Sequence, residues 1–236
     1  MKKKYFKFSA NFISLVLIMS FSSLAFCKTD DSLEKRINSI ISGKRASVGV
    51  AVAGLEDDFS LSINGKKKFP MMSVYKFHIA LAVLNKVDTG SLKLDQKIML
   101  KKKDLYPGTW SPLRDKYPNG GVSIPLSEII EYTITQSDNN GCDILISLAG
   151  GTEAVKKFIE SKGIKDFDLK ATEKECHDSW HVLYSNWSTP ASAAALLKKF
   201  YDKKIVSSTS TEYLMNVMIR TSTGDKRIKG LIPPSA

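Results

Sequence analysis

The sequence predicts an α+β fold in which a short antiparallel sheet is joined to a large helical block. Residues 46–53 and 59–63 are rich in small and β-branched residues, as adjacent strands are. From Ser73 onward, apolar residues recur at helical spacing, and several further helical segments follow. The length of 236 residues suits one large domain or two domains that share a core.

The first 27 residues have the pattern of a bacterial export signal. Four lysines among the first seven residues precede an apolar run at 12–19, and small residues offer cleavage after Ala25 or Cys27. The apolar run is too short for a comfortable membrane span. The alternative is a lipoprotein anchored through Cys27, but Phe26 argues against it because the residue before a lipidated cysteine is normally small. We therefore expect an exported, periplasmic protein with no stable membrane span after cleavage.

The remaining charge is basic but dispersed. Removal of the signal takes away four lysines and no acidic residue, so the formal net charge falls from +11 to +7. Basic runs such as 66–68 and 101–103 lack aromatic interleaving and are typical of solvated turns, so we expect no nucleic-acid partner. Cys142 and Cys176 have neither metal-binding nor redox spacing. Export permits a disulfide between them, but the sequence leaves open whether they meet.

The elements follow in a simple order. An amphipathic helix starts at Ser32 and is closed by Gly43, and Pro70 ends the segment that contains the two strands. The helix that starts at Ser73 is apolar on all faces, which predicts burial in the middle of a domain. Further helices are predicted over about 124–135, 140–149, 153–161, 190–202 and 211–219.

One long segment, 163–188, is polar and aromatic together and has no sustained period. Long loops inside compact proteins are either functional or disordered. Trp180, Tyr184 and Trp187 indicate that this loop is packed. The predicted organisation is a signal peptide (1–27), the first part of an α/β subdomain (28–72), an all-α subdomain that includes the loop (73–205) and a return toward the α/β subdomain (206–236).

Two short motifs could carry chemistry. Ser73-Val74-Tyr75-Lys76 places a hydroxyl and an amine on one face at the start of the buried helix. A desolvated lysine can accept the serine proton, and the free N–H groups of a helix N-terminus can bind an oxyanion. The spacing alone is weak, since Ser32-Leu33-Glu34-Lys35 also matches and is interpreted as a helix cap. Ser137-Asp138-Asn139 can likewise be a cap and turn, yet the two motifs together are much less expected by chance.

These residues resemble the motifs of class A serine β-lactamases, in the branch common in Bacteroides-type bacteria. The matching segments are 69–78, 110–112 and 136–143, and the similarity runs from about residue 32 to the last residue. The resemblance implies a serine β-lactamase/DD-peptidase-like fold and the hydrolysis of β-lactam antibiotics, which confers resistance. It further implies a small-molecule β-lactam as substrate, a monomer, and neither a metal nor an organic cofactor.

The resemblance also assigns roles to single residues. Ser73 resembles the acylated nucleophile, and Lys76 resembles its proton partner. Ser137 resembles the hydroxyl that passes a proton to the ring nitrogen as it leaves, and Asn139 resembles the residue that binds the substrate's amide side chain. Trp110 matches the aromatic residue at the mouth of the cleft, with packing in the core as its alternative.

The long loop resembles the omega loop of the family. Glu173 matches the base that activates a water to hydrolyse the acyl-enzyme, a role suited to an ionised carboxylate one water away from the ester. Without the resemblance, a glutamate in a polar loop is interpreted as a solvated surface residue. His177 stands where an asparagine usually helps to hold that water, and we expect it to contribute to substrate binding.

Several residues depart from the family pattern. Most members carry an arginine at the position of Ala171 and an aspartate at the position of Asn186, and that ion pair ties the loop together. Both partners are replaced here, so no charge is left without its partner. Asp143 replaces another common asparagine. These changes predict a loop of different shape.

A zinc site is the competing interpretation of His177 and His181, because H-x-x-x-H puts two imidazoles on one helical face. This segment carries an aspartate where zinc peptidases carry glutamate, has no evident third ligand and lies in a loop. We therefore expect no metal.

The third motif of the family, K-T-G or K-S-G, does not occur before the chain ends at Ala236. Two interpretations follow: the sequence is an incomplete copy of a longer protein, or it is a true truncation that folds poorly and hydrolyses little. A penicillin-binding DD-peptidase or transpeptidase, which deacylates slowly, and a non-catalytic remnant stay open as alternative functions.

Overall fold

The computed structural model of this protein describes residues 31–224, 226–227 and 229–231. The predicted signal peptide at 1–27 lies outside the described residues. Within them, helices and short antiparallel strands combine into the α+β architecture that the sequence predicts. No helix in these ranges is both long enough and apolar enough to cross a membrane.

The described helices and strands are interspersed along the chain. The α-helices are α1 (Asp31–Ser42), α2 (Tyr75–Asp88), α3 (Pro112–Lys116), α4 (Leu126–Thr135), α5 (Asn139–Ala149), α6 (Thr152–Ser161), α7 (Glu173–Asp178), α8 (Pro190–Tyr201) and α9 (Ser208–Ile219). The strands are β1 (Val50–Ala53), β2 (Ser60–Ile63), β3 (Phe69–Pro70), β4 (Lys97–Leu100), β5 (Val122–Pro125), β6 (Phe167–Asp168) and β7 (Trp187–Ser188).

The first two strands pair antiparallel, as predicted, with Val50 opposite Ile63. Leu61 and Ile63 are buried while Ser62 between them is exposed, which is the alternation of a strand with one covered face. Helix α8 lies against β1. Gly49 permits this contact, because a Cβ there would lie 2.5 Å from a ring carbon of Phe69 and close to α8.

Helix α2 forms the centre of the helical block. Ile79, Leu81, Val83 and Leu84 are fully buried, so apolar side chains face neighbours in every direction. Helices α4, α5, α6 and α9 pack around it. The predicted central buried helix is confirmed.

A second two-stranded sheet was not predicted. Strand β5 pairs antiparallel with β4, so the helix expected over about 124–135 begins only at Leu126. Leu100 and Ile124 point into the core while Met99 is exposed, and segments this short give too weak a period to recognise. Pro70 does not end the sheet segment, because Phe69 and Pro70 pair with β7. The block that follows Ser73 is therefore not entirely helical.

The long loop at 163–188 is ordered by short elements. It contains β6, α7, a 3-10 turn at Val182–Ser185 and β7, with β7 in the middle of the order β3-β7-β6. The loop is packed, as predicted, although two of the aromatic residues on which the prediction rested, Trp180 and Tyr184, are 64% and 57% exposed. Smaller side chains on the inner face, including Ala171 and Cys176, are buried instead.

Candidate active site

Ser73 lies at the centre of a 3-10 turn, Met72–Val74, that leads directly into α2. Met72 has a φ of +48°, a backbone conformation that residues other than glycine rarely adopt and that often occurs at functional sites. The amide of Met71 donates to the carbonyl of Asn186, which ties this turn to the long loop. The Ser73 side chain is exposed, as an attacking hydroxyl must be.

Lys76 contacts three other predicted site residues. Its side chain is 3% exposed, and its Nζ lies 3.0 Å from Ser73 Oγ, 2.7 Å from Asn139 Oδ1 and 2.5 Å from Glu173 Oε1. An ammonium has three protons to donate, so each can be used in one of these contacts. The spacing of three residues places Ser73 and Lys76 together, whereas only the tertiary structure brings in Asn139 and Glu173.

Ser137 contacts Ser73, the predicted nucleophile. Its Oγ donates to Ser73 Oγ at 2.9 Å, and its φ of +57° is again unusual for a residue with a side chain. The next residue, Asp138, is fully buried and caps α5 by accepting the amide proton of Gly141. It also accepts from the hydroxyl of Ser111 and the amide of Leu113. Burial raises the pKa of Asp138, and these hydrogen bonds oppose that rise.

Glu173 is the first residue of α7, and its position depends on how that short helix begins. The Thr172 hydroxyl accepts from the amide of Glu175, and the amide of Thr172 donates to the Glu175 carboxylate, forming a capping box. Asp143 accepts the amide protons of Glu173 at 2.7 Å and of Lys174 at 2.9 Å. Burial raises the pKa of Asp143 to about 6. Asp143, which replaces the asparagine common in the family, therefore supplies an anion at the N-terminus of α7.

Asn186 closes the long loop with hydrogen bonds at the place where most members of the family have an ion pair. Its Oδ1 accepts from the amides of Lys170 and Ala171 at 2.8 and 3.0 Å, and its Nδ2 donates to the carbonyl of Ala171 at 2.9 Å. The side chain of Asn186 is buried, and Nδ2 also lies 3.7 Å from Cys176 Sγ. A neutral side chain thus closes the loop without a buried charge.

Trp110 is 60% exposed, so the alternative of core packing is wrong. Its Nε1 donates to the carbonyl of Gln136, and its own carbonyl accepts from Asn139, which joins the Trp110 segment to the Ser137 motif. His177 is also exposed, and its ring meets that of Tyr106 edge-on at 5.6 Å.

The two histidines of H-x-x-x-H do not share a helical face, because α7 ends at Asp178. His181 instead stacks on Trp180, with ring centroids 3.7 Å apart. Among the described residues, no three or more His, Cys, Asp or Glu side chains are grouped to hold a metal ion. Cys142 and Cys176 are both buried free thiols, and burial raises the pKa of each, to about 11 for Cys176.

A cavity of about 360 Å³ opens beside Ser73. It is lined by predicted site residues, including Asn139, Glu173 and His177, and by residues the motifs did not single out. Two of the latter were recognisable in principle: Tyr75 lies inside the Ser-x-x-Lys motif, and Cys176 follows Glu173 at the helical spacing of three. Met72 lies next to Ser73 in the same turn, whereas Thr109 and Leu183 reach the cavity through tertiary packing alone.

Comparison with known proteins agrees with this geometry. A model of a family described as the β-lactamase enzyme family matches residues 32–236. β-Lactamase VEB-1 of Pseudomonas aeruginosa is 39% identical over 224 residues, which are 94% of this chain and 75% of that protein. A β-lactamase of Bacteroides uniformis is 40% identical over 93% of this chain and 74% of its own length.

Solved structures give the same result. The crystal structure of TLA-1 extended-spectrum β-lactamase has a TM-score of 0.85 and 52% identity, covering 86% of this chain and 74% of that one. A class A β-lactamase from Bacteroides cellulosilyticus has a TM-score of 0.80 and 41% identity, covering 86% and 72%.

The fold and these comparisons together define a serine hydrolase that opens a cyclic amide. The chain belongs to the β-lactamase enzyme family, in class A. It is a serine enzyme that hydrolyses the amide bond of β-lactam antibiotics and so confers resistance to them. The family match selects this activity over that of the penicillin-binding peptidase, and the predicted resemblance is confirmed.

Proposed function

We propose that this β-lactamase works through an acyl-enzyme on Ser73, with Lys76, Ser137 and Glu173 as the other catalytic residues. The observation that carries the proposal is the convergence on Ser73 Oγ, which contacts Lys76 Nζ at 3.0 Å and Ser137 Oγ at 2.9 Å. Glu173 reaches the same centre through its 2.5 Å contact with Lys76 Nζ.

Acylation begins with the removal of the Ser73 proton. Lys76 accepts it as a neutral amine, after passing its own proton to the Glu173 carboxylate across their short contact. Ser73 Oγ then bonds to the lactam carbonyl carbon, and the ring C–N bond breaks. Ser137 gives its proton to the leaving nitrogen and recovers one directly from Lys76, whose Nζ, like Ser137 Oγ, lies within hydrogen-bond distance of Ser73 Oγ.

Deacylation needs a base that faces the ester from the loop. Once Glu173 has returned its proton to Lys76, its carboxylate takes a proton from a water molecule. The water oxygen bonds to the ester carbon, and the bond to Ser73 Oγ breaks as Lys76 gives that oxygen a proton and takes one from Glu173. The ring-opened acid then leaves, and Ser73, Lys76 and Glu173 regain their starting protonation. The Glu173 side chain is 14% exposed and lines the cavity beside Ser73, so a water there has access to both groups.

Three further residues are proposed to bind the substrate. Asn139 lines the cavity and offers its amide to the substrate's side chain; this amide now donates to Thr109 Oγ1 at 2.7 Å. His177 lines the loop side of the cavity. Trp110 presents an exposed ring, and its carbonyl accepts from the amide of Asn139, which supports a substrate contact at the mouth of the cleft.

The deciding experiment is intact mass spectrometry after a brief, quenched exposure to a penicillin. We expect a short-lived adduct on Ser73 in the parent protein and none in Ser73→Ala. In Glu173→Gln we expect an adduct that forms more slowly, because Lys76 has lost its proton acceptor, and that then lasts. Loss of a general base typically slows its step by about 10²–10⁴-fold. Glu175→Gln is the matched control, because this side chain belongs to the same helix and a glutamine preserves the capping box.

Two results would refute the assignment. A lasting adduct on the parent protein would give Glu173 no hydrolytic role. An adduct on Ser73→Ala would place the nucleophile elsewhere.

We also propose that the protein is exported to the periplasm and acts as a monomer. The basic start, apolar run and small residues before Cys27 support export. Fractionation of cells, with the N-terminus of the mature protein read by mass spectrometry, tests the export and the cleavage site. Light scattering tests the oligomeric state.

A further inference from the structure

One buried hydroxyl at the cavity lacks a hydrogen-bond partner. Tyr75 is the first residue of α2 and is 2% exposed, and its side chain lines the same cavity as Ser73 and Glu173. Throughout the described part of the chain, no atom meets hydrogen-bond geometry with its Oη. Buried hydroxyls almost always have a partner, so this one calls for a functional explanation.

The groups that face this hydroxyl come from two other helices. Glu173 and Cys176 approach from α7, and Cys142 approaches from α5. Burial raises the pKa of the Tyr75 phenol, and the nearby thiols and the Glu173 carboxylate raise it further. The phenol therefore stays protonated and can serve only as a neutral hydroxyl, able to donate one hydrogen bond.

The Glu173 carboxylate can accept a hydrogen bond from that hydroxyl. Its Oε1 accepts from Lys76, while within the described residues no donor is bonded to Oε2. Asp143 holds the backbone of Glu173 and carries no proton donor for its side chain when ionised. The Lys76 ammonium also contacts Ser73 and Asn139, so it cannot hold the Glu173 carboxylate in place by itself through both acylation and deacylation.

We propose that Tyr75 is a positioning residue for deacylation, whose hydroxyl donates a hydrogen bond to the Glu173 carboxylate in the acyl-enzyme. One carboxylate oxygen is then held while the other takes the proton of the attacking water. The O–H bond of Tyr75 stays intact, and the bonds made and broken are those of the deacylation described above. This inference rests on the proposed function of Glu173.

The test compares Tyr75→Phe with the parent protein and with Tyr213→Phe. Tyr213 is the matched control because it lies on α9, and its hydroxyl donates to the carbonyl of Ser127, outside the cavity. We expect the acyl-enzyme of Tyr75→Phe to decay about tenfold more slowly, the usual effect of losing a hydrogen bond to a charged group. Where deacylation limits turnover, kcat and KM fall together and kcat/KM stays unchanged.

The double variant separates positioning from a structural effect. If Tyr75 acts through Glu173, Tyr75→Phe slows deacylation no further in a Glu173→Gln background. A thermal melt within about 2 °C of the parent shows that the loss of an unpartnered hydroxyl leaves the fold intact.

The inference is overturned if the Tyr75→Phe acyl-enzyme decays at the rate of the parent, or if the effect persists in full in Glu173→Gln. When Glu173→Gln traps the adduct and Tyr75→Phe does not slow its decay, only the role of Tyr75 fails. When Glu173→Gln traps nothing, the proposed function fails as well.

Discussion

The closure of the omega loop by Asn186 yields a quantitative prediction. Substitution Asn186→Ala removes the partners of three backbone groups: the amide of Lys170 and both the amide and the carbonyl of Ala171. Lys170 is exposed, so water can replace its lost partner, but the two groups of Ala171 are buried. Each buried group left without a partner costs about 1–3 kcal/mol.

We therefore expect Asn186→Ala to lower the free energy of unfolding by about 3 kcal/mol. For a chain of this size, that corresponds to a fall in Tm of about 6–12 °C. Urea unfolding and a thermal melt measure the two quantities, and hydrogen exchange at the Ala171 amide reports local opening of the loop. Asn216→Ala, an exposed position on α9, is the control and should change stability by less than about 0.5 kcal/mol.

A charged replacement at the same position sharpens the test. Asn186→Asp places a carboxylate where no arginine partner exists, and an uncompensated buried charge costs about 3–5 kcal/mol. Burial raises the folded-state pKa of the introduced carboxyl, so the folded protein binds the proton more tightly. The stability of the variant relative to the parent should therefore fall as the pH rises above about 4. The reasoning is refuted if Asn186→Ala is as stable as Asn216→Ala, or if Asn186→Asp shows no pH dependence of its own.

Three further outcomes are expected. The folded-state pKa of Asp143 is raised to about 6, so the protonated Asp143 stabilises the fold fully below about pH 4, and this stabilisation is lost as the pH rises to 6. The free energy of unfolding of Asp143→Asn, relative to that of the parent, should therefore rise between about pH 4 and 6 in urea titrations and then level off. Trp110→Ala should leave Tm within about 2 °C, because the ring is exposed, but raise KM several-fold in steady-state assays; an unchanged KM would remove Trp110 from the substrate site. Cys142 and Cys176 should resist thiol reagents at about pH 7.5 until the protein is denatured, because both thiols are buried and protonated. Rapid labelling of either thiol, detected by peptide mapping, would contradict the packing.

Local patterns were sufficient for much of this fold. The helix that follows Ser73 was predictable because its apolar residues cover every face, and the pairing of β1 with β2 followed from two neighbouring runs of small and β-branched residues. The proximity of Ser73 and Lys76 was also predictable, because a spacing of three residues on a helix fixes it.

Other features depend on partners distant in sequence. Strands β4 and β5 are four residues each and become strands only by pairing across more than twenty residues. The loop is packed, as predicted, but by smaller side chains, whereas Trp180 and Tyr184 are exposed, because hydrophobic character does not require burial.

By itself the sequence determined the central helix, the serine-lysine pair at its start and the resemblance that identifies the family. Only the tertiary structure decided that Lys76 also reaches Glu173, that Asp143 holds the start of α7, and that Asn186 closes the loop. The physical reason is the range of the interactions. Helical spacing is set within a few residues, whereas these hydrogen bonds join atoms whose separation along the chain carries no information about their separation in space.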